Sequence, residues 1–226
     1  MLLSHIGPLE ASIFSSLAIL SLVLTFVMLG SHWLRNYIYA FAAQSWLIAI
    51  LSASVAYFDG YKELYAIAIL TALFRGVVLP YLLMRMVDKL NVKRELHSVL
   101  NSGSCLVLGA LVVMFAFIIS DHIGQQDHPL AHVFILALTI MLSMKFLGFL
   151  MLAVRNEAIS QILGLLVLEN GIFLGSQILV PGMPMLIEIV ILFDLLVVVA
   201  CFGMLIRYLV VHAGTTSSRH LNRLVG

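Results

Sequence analysis

Four ionisable side chains lie deep inside otherwise apolar stretches: Arg75, Lys145, Glu169 and Asp194. Two are cations and two are anions, so they can neutralise one another away from water. A charge at the centre of a membrane helix costs about 2.5–3.5 kcal/mol on insertion scales, whereas a leucine or valine returns only a few tenths. Four such groups facing lipid would cost on the order of 10 kcal/mol, so they are expected to face protein or water and to pair. The chemistry open to such a set is proton or cation transfer, because a buried carboxylate beside a movable cation has a proton affinity that its surroundings tune. Glu169 and Asp194 are the expected proton acceptors, Lys145 the switch and Arg75 the fixed countercharge. Glu188, one to two turns from a helix end, is a shallower member of the same set. A plainer use of the same residues is an ion-pair network that only locks helix packing.

The elements that must carry these residues follow from composition. The chain has 226 residues, 62% hydrophobic and 10% charged, with a mean hydropathy of +1.12. A soluble domain is about 45–50% apolar and about 25% charged. Disorder, a coiled coil and a soluble α/β enzyme are excluded, and the continuous apolar runs do not alternate as barrel strands would. At roughly 20 residues per crossing, the sequence predicts an all-α polytopic membrane helix bundle of about seven transmembrane helices. The spans are Ser12–Gly30, Tyr37–Phe58, Leu64–Val87, Ser104–Ser120, His132–Val154, Ala158–Leu179 and Pro184–Val211. Residues 1–130 form an N-terminal four-helix part and 131–226 a C-terminal three-helix part.

Charge sets the orientation. With a cytoplasmic C-terminus, the inner segments hold Arg35, Arg85, Lys89, Lys93, Arg94, Arg155, Arg207, Arg219 and Arg223, and the outer segments hold only Lys62. That asymmetry places the N-terminus outside. Arg75, Lys145, Glu169 and Asp194 then lie about 10–13 residues from the outer helix ends, or roughly 15–20 Å deep, near the midplane of a bilayer core about 30 Å thick. The apolar stretch after Met1–Glu10 lacks a basic leader and a small-residue cleavage site, so no signal peptide is expected.

Other features are read as secondary. Net charge is +1, which offers no field for nucleic acid. Cys105 and Cys201 are too few for a four-cysteine cluster or structural zinc site, so any redox metal is expected on a partner. The histidines are scattered; His122, His128 and His132 read as outer-loop or helix-end residues, and neither a metal site nor a cofactor is expected. Pro80 is expected to disturb the third span five residues after Arg75. Gln44 and Ser45 offer a way to extend a polar path inward. Gly103, Gly109, Gly148, Gly164, Gly171 and Gly175 are expected to permit close helix contact. No nucleophile–base set or phosphate loop is present, so the chain is read as non-catalytic.

The second half carries a family resemblance. Residues 155–171 read RNEAISQILGLLVLENG, residues 186–194 read LIEIVILFD, and residues 74–80 read FRGVVLP. Together they resemble the hydrogenase-4 component E family, a membrane subunit of formate hydrogenlyase and related group 4 nickel–iron hydrogenase complexes. The last three spans are more distantly similar to the K subunit of complex I and the C subunit of Mrp-type antiporters. In those, one buried acid lies in the second helix and another in the third; Glu169 and Asp194 match by helix and depth. Glu169 falls about one turn later, on the same helix face, and Asp194 is shorter than Glu by a methylene. The resemblance implies a bacterial or archaeal cytoplasmic-membrane protein without enzymatic activity of its own. Its partners would be antiporter-like subunits, a redox-arm anchor subunit and the lipid bilayer. Its role would be a mid-membrane charge relay coupling partner redox chemistry to translocation of protons or Na⁺; the alternative is a structural adaptor.

Overall fold

A computed structural model describes residues 8–60, 62–89, 100–124, 131–156 and 158–179. The expected span Pro184–Val211, with Glu188 and Asp194, lies outside the described residues. Those described are almost wholly helical: α1 (Pro8–Gly30), α2 (Leu34–Asp59), α3 (Lys62–Leu73), a π-helical turn (Phe74–Val78), α4 (Leu79–Lys89), α5 (Ser102–Gly124), α6 (Ala131–Val154) and α7 (Ala158–Leu179). Among them, six helices are long and apolar enough to cross a membrane, with α3, the π turn and α4 forming one. The expected limits of these six spans extend by a few residues at several ends, and Ala158–Leu179 is unchanged.

The surface is as apolar as the interior. Ile69, Val107, Ile118 and Phe149 are largely exposed, while Arg75, Gln44, Ser45, Thr25 and Asn170 are buried. That distribution suits lipid as the solvent: tails accept exposed leucines at no cost, while polar groups must be satisfied inside. Helix α5 shows the logic most simply. Its buried residues are all small, Cys105, Gly109, Ala116, Ser120 and Gly124, and most of its bulky side chains are exposed.

Helix α6 packs on α7, α5 and α1, and α7 packs on α2, so helices from both parts of the chain share one bundle. Glycine permits the closest of these contacts. A Cβ on Gly148 would lie 2.8 Å from the Gly164 carbonyl oxygen, and one on Gly171 would lie 2.7 Å from the Met144 Cβ. Among the described residues the apolar interior forms two clusters. One gathers Leu34, Tyr37, Phe41, Leu83, Leu163 and Leu166; the other gathers Ile48, Leu51, Leu64, Met144, Phe173 and Leu174. Along α1, α2, the π turn and α7, buried polar residues lie between the two clusters: Ser21 and Thr25, Gln44 and Ser45, Arg75, and Asn170. The bundle thus has a polar layer at mid-height between two oily halves.

The two ends differ in charge. Arg35 of α2 pairs with Asp88 of α4 at 2.9 Å, His32 meets Ser102 at 2.8 Å, and Arg155 reaches the C-terminus of α1. One Arg155 Nη2 donates to the carbonyls of Met28 (3.3 Å), Leu29 (2.7 Å) and Ser31 (3.0 Å). A helix leaves its last four carbonyls unsatisfied and carries partial negative charge there, so a guanidinium is the natural cap. These contacts bring the ends of α1, α2, α4, α5 and α6 together, so Arg35, Arg85, Lys89 and Arg155 stand in sequence at one end of their helices; Lys62 stands at the opposite helix ends, with Glu10, Asp59 and Asp121.

Candidate functional site: a buried polar layer around Arg75

Arg75 enters the bundle from the π turn. Pro80 lacks an N–H and its ring would press on the carbonyl four residues back, at Gly76. The chain accommodates this with an extra residue in the turn: the Leu79 N–H bonds to the Phe74 carbonyl, five residues back. Such turns recur at functional sites. The disturbance expected at Pro80 therefore takes the form of a π turn ending one residue before it. Within the turn Gly76 faces Trp46, where a Cβ would come 3.0 Å from the indole nitrogen.

The guanidinium of Arg75 is almost wholly buried, with 1% of its side chain exposed. Its Nη1 donates to Asn170 Oδ1 at 2.7 Å, its carbon lies 5.2 Å from the Phe173 ring centre, and its Nη2 stands 3.7 Å from Glu169 Oε2. That last distance is an ion pair and not a hydrogen bond. Its attraction is about 4 kcal/mol at an effective dielectric near 20, before the opposing cost of desolvation. Glu169 keeps 19% of its side chain exposed, so its carboxylate lies at the margin of the bundle while Arg75 lies within.

From Arg75 a line of hydrogen bonds crosses the bundle. Asn170 Nδ2 donates to Gln44 Oε1 at 3.1 Å. Gln44 Nε2 donates to Thr25 Oγ1 at 2.8 Å and to the Ser21 carbonyl at 3.0 Å, and Thr25 Oγ1 donates to that same carbonyl at 3.0 Å. Arginine has no acceptor, so Asn170 must turn its oxygen to Arg75 and its nitrogen to Gln44, and Gln44 must then turn its nitrogen to α1. The direction of the whole line is set by one cation. Further along α2 and α7, Gln177 Nε2 donates to Ser52 Oγ at 2.6 Å.

Of the charges singled out from sequence, the structure brings Arg75 and Glu169 together. Lys145 stands level with them on α6: a Cβ on Gly171, two residues from Glu169, would lie 3.3 Å from its backbone nitrogen. Lys145 is half-buried and makes no ion pair with another described residue, whereas Arg75 pairs with Glu169. Asp194 and Glu188 lie outside the described residues. Gln44 joins the set through Asn170, whereas Ser45 bonds its own helix at Phe41. Asn170, Thr25, Ser21 and the Arg155 cap were not foreseen. The available signal for Asn170 was its place beside Glu169, one residue nearer the bundle axis. Among the described residues no group of three or more histidine, cysteine, aspartate or glutamate side chains is placed to hold a metal ion.

No family model matches the chain, and no solved structure matches it. Over 148 residues the chain is 28% identical to "Uncharacterized protein Rv0085" of Mycobacterium tuberculosis, a stretch covering 65% of this chain and 66% of that protein.

Proposed function

We propose that the chain is a non-catalytic membrane subunit of a hydrogenase or complex I-like assembly, and that its buried charges form part of a relay coupling partner redox chemistry to proton or Na⁺ translocation. In this reading it crosses a bacterial or archaeal cytoplasmic membrane seven times, with the N-terminus outside and the C-terminus inside. The concentration of Arg35, Arg85, Lys89 and Arg155 at one end supports that orientation. The observation that carries the relay is the fixed guanidinium of Arg75 next to Glu169, between two apolar clusters. Arg75 sets a fixed positive charge beside the carboxylate. A charge displaced nearby, from a partner, changes the proton affinity of Glu169, which takes up or releases a proton at the bundle margin. Asp194 is the second acceptor and Lys145 the mobile cation; Glu188 lies toward the outer mouth.

The test is the double replacement Glu169→Gln with Asp194→Asn in the intact assembly. Assembly is retained and ion pumping in sealed vesicles is lost. Normal pumping by the double variant would end the relay reading.

A structural adaptor is the second reading, favoured by the amide bridge Asn170–Gln44, which ties α7 to α2 with every hydrogen bond made between protein groups. On that reading Lys145→Met combined with Glu169→Leu assembles and couples normally.

A further inference from the structure

The four mid-span charges balance as two pairs, and the described residues contain one of them. Arg75 has its guanidinium enclosed by Asn170, Phe173 and Glu169. Lys145, at the same height on α6, is half-buried and makes no ion pair with another described residue. Four residues further along α6, on the same helical face, Phe149 is 54% exposed. On the adjoining helix Ile172 is exposed three residues after the marginal Glu169, and Gly171 lets the two helices run close at this height. The α6–α7 face thus carries a mid-span cation between large apolar side chains, and lipid tails supply no counter-ion for it. The outward face of α5 is different: Val107, Leu111, Phe115 and Ile118 are exposed there, with no charge between Ser104 and Ser120.

The missing anion is in the chain itself. Helix α7 ends at Leu179, and the apolar run 184–211 follows, in which Asp194 is the only charge between Glu188 and Arg207. The depths agree. Glu169, level with Lys145, lies ten residues before the end of α7. Asp194 lies ten residues after Pro184, so a helix returning from there brings it to the same height, about 15 Å in at 1.5 Å per residue. The connection, residues 180–183, is short, and elements joined by short connections pack as neighbours. We infer that the segment 184–211 of this same chain docks on the α6–α7 face against Phe149 and Ile172, and that Asp194 pairs there with Lys145. One contact provides for both charges. A partner subunit's helix with an acid of its own would neutralise Lys145 but leave Asp194 as a mid-membrane charge in need of a second cation. A tethered segment also reaches the face without the loss of free movement that a separate helix must meet. The inference rests on the seven-span reading in the proposed function and takes nothing from the relay.

The experiment uses the full chain in native membranes, with the photo-crosslinking residue benzoylphenylalanine at position 149 and, as reference, at position 107. The expected result is a product that keeps the mass of one chain, with position 149 joined to a peptide from residues 184–211, and no such product from position 107. Lys145→Glu lowers the yield at least fivefold, Lys145→Arg keeps it, and Lys145→Glu combined with Asp194→Lys restores it. Where Lys145→Glu fails to accumulate in the membrane, Lys145→Met lowers the yield several-fold and Lys145→Met with Asp194→Leu restores it. A product from position 149 only with another subunit, a second copy or lipid overturns the inference, as does a yield indifferent to residue 145. The seven-span reading is tested separately by a cysteine at Ser217 in a chain whose Cys105 and Cys201 are alanine. Labelling by an impermeant thiol reagent from the inner face is expected; labelling from the outer face removes the seventh crossing and the inference with it. Inner labelling without the product at position 149 overturns the docking alone.

Discussion

Asn170 is the residue on which the polar layer turns, because it accepts from Arg75 and donates to Gln44 with the two ends of one amide. Asn170→Leu keeps the volume and removes both bonds, leaving a buried guanidinium and a buried amide oxygen short of partners. A loss of about 2–4 kcal/mol is expected, visible as a lower midpoint of thermal unfolding in detergent. Arg75→Met leaves Glu169 without its cation and should cost about 3–5 kcal/mol by the same assay. Arg75→Lys keeps the charge but not the planar fork, and should fall between Arg75→Met and wild type. The charge at Arg75 was legible from sequence, since a cation in a long apolar run has few cheap places to go. Its partner was legible only as a carboxylate at similar depth. That Arg75 pairs with Glu169 was not, because Arg75 projects from a π turn, a local geometry that no spacing in the sequence encodes.

At the scale of elements, helix existence was legible and helix joints were not. Runs of about 20 apolar residues fix the spans because a bilayer fixes their length, and six of the expected spans coincide with helices. The glycines were readable as contact points, and the structure assigns partners to Gly109, Gly148, Gly164, Gly171 and Gly175 but not to Gly103, which opens α5 with nothing packed against it. Gly148→Val would drive a side chain into Gly164 and Leu168 and should separate α6 from α7, with a loss of about 1–3 kcal/mol or more. Gly103→Ala, where a Cβ meets nothing within 4 Å, should leave the unfolding midpoint unchanged or slightly raised, since it stiffens the first turn of α5. Arg155 was read from sequence as one of the inner positive charges. The structure makes it a cap, reaching three carbonyls at the C-terminus of α1 from the loop between α6 and α7. Arg155→Leu should lower stability by about 2–4 kcal/mol; an effect no larger than that of replacing an exposed arginine such as Arg85 would show the cap to be unimportant.

For the whole molecule, the apolar exterior and polar mid-layer invert the arrangement of a soluble protein, and the composition announced this before any element was drawn. The sidedness of charge gives a direct check. In a chain whose Cys105 and Cys201 are replaced by alanine, a cysteine at Asn101 is expected to react with a membrane-impermeant thiol reagent only in inside-out vesicles. A cysteine at His122 is expected to react only in right-side-out vesicles. Equal labelling of both positions from one face would contradict α5 as a span.

The fixed direction of the line from Arg75 to Ser21 has one more consequence. Each amide turns its oxygen toward the guanidinium and its hydrogens away, and neither asparagine nor glutamine hands a proton onward as water or a carboxyl group does. The line therefore acts as an insulator: its dipoles steady the positive charge on Arg75 while offering no path for a proton from the guanidinium toward α1.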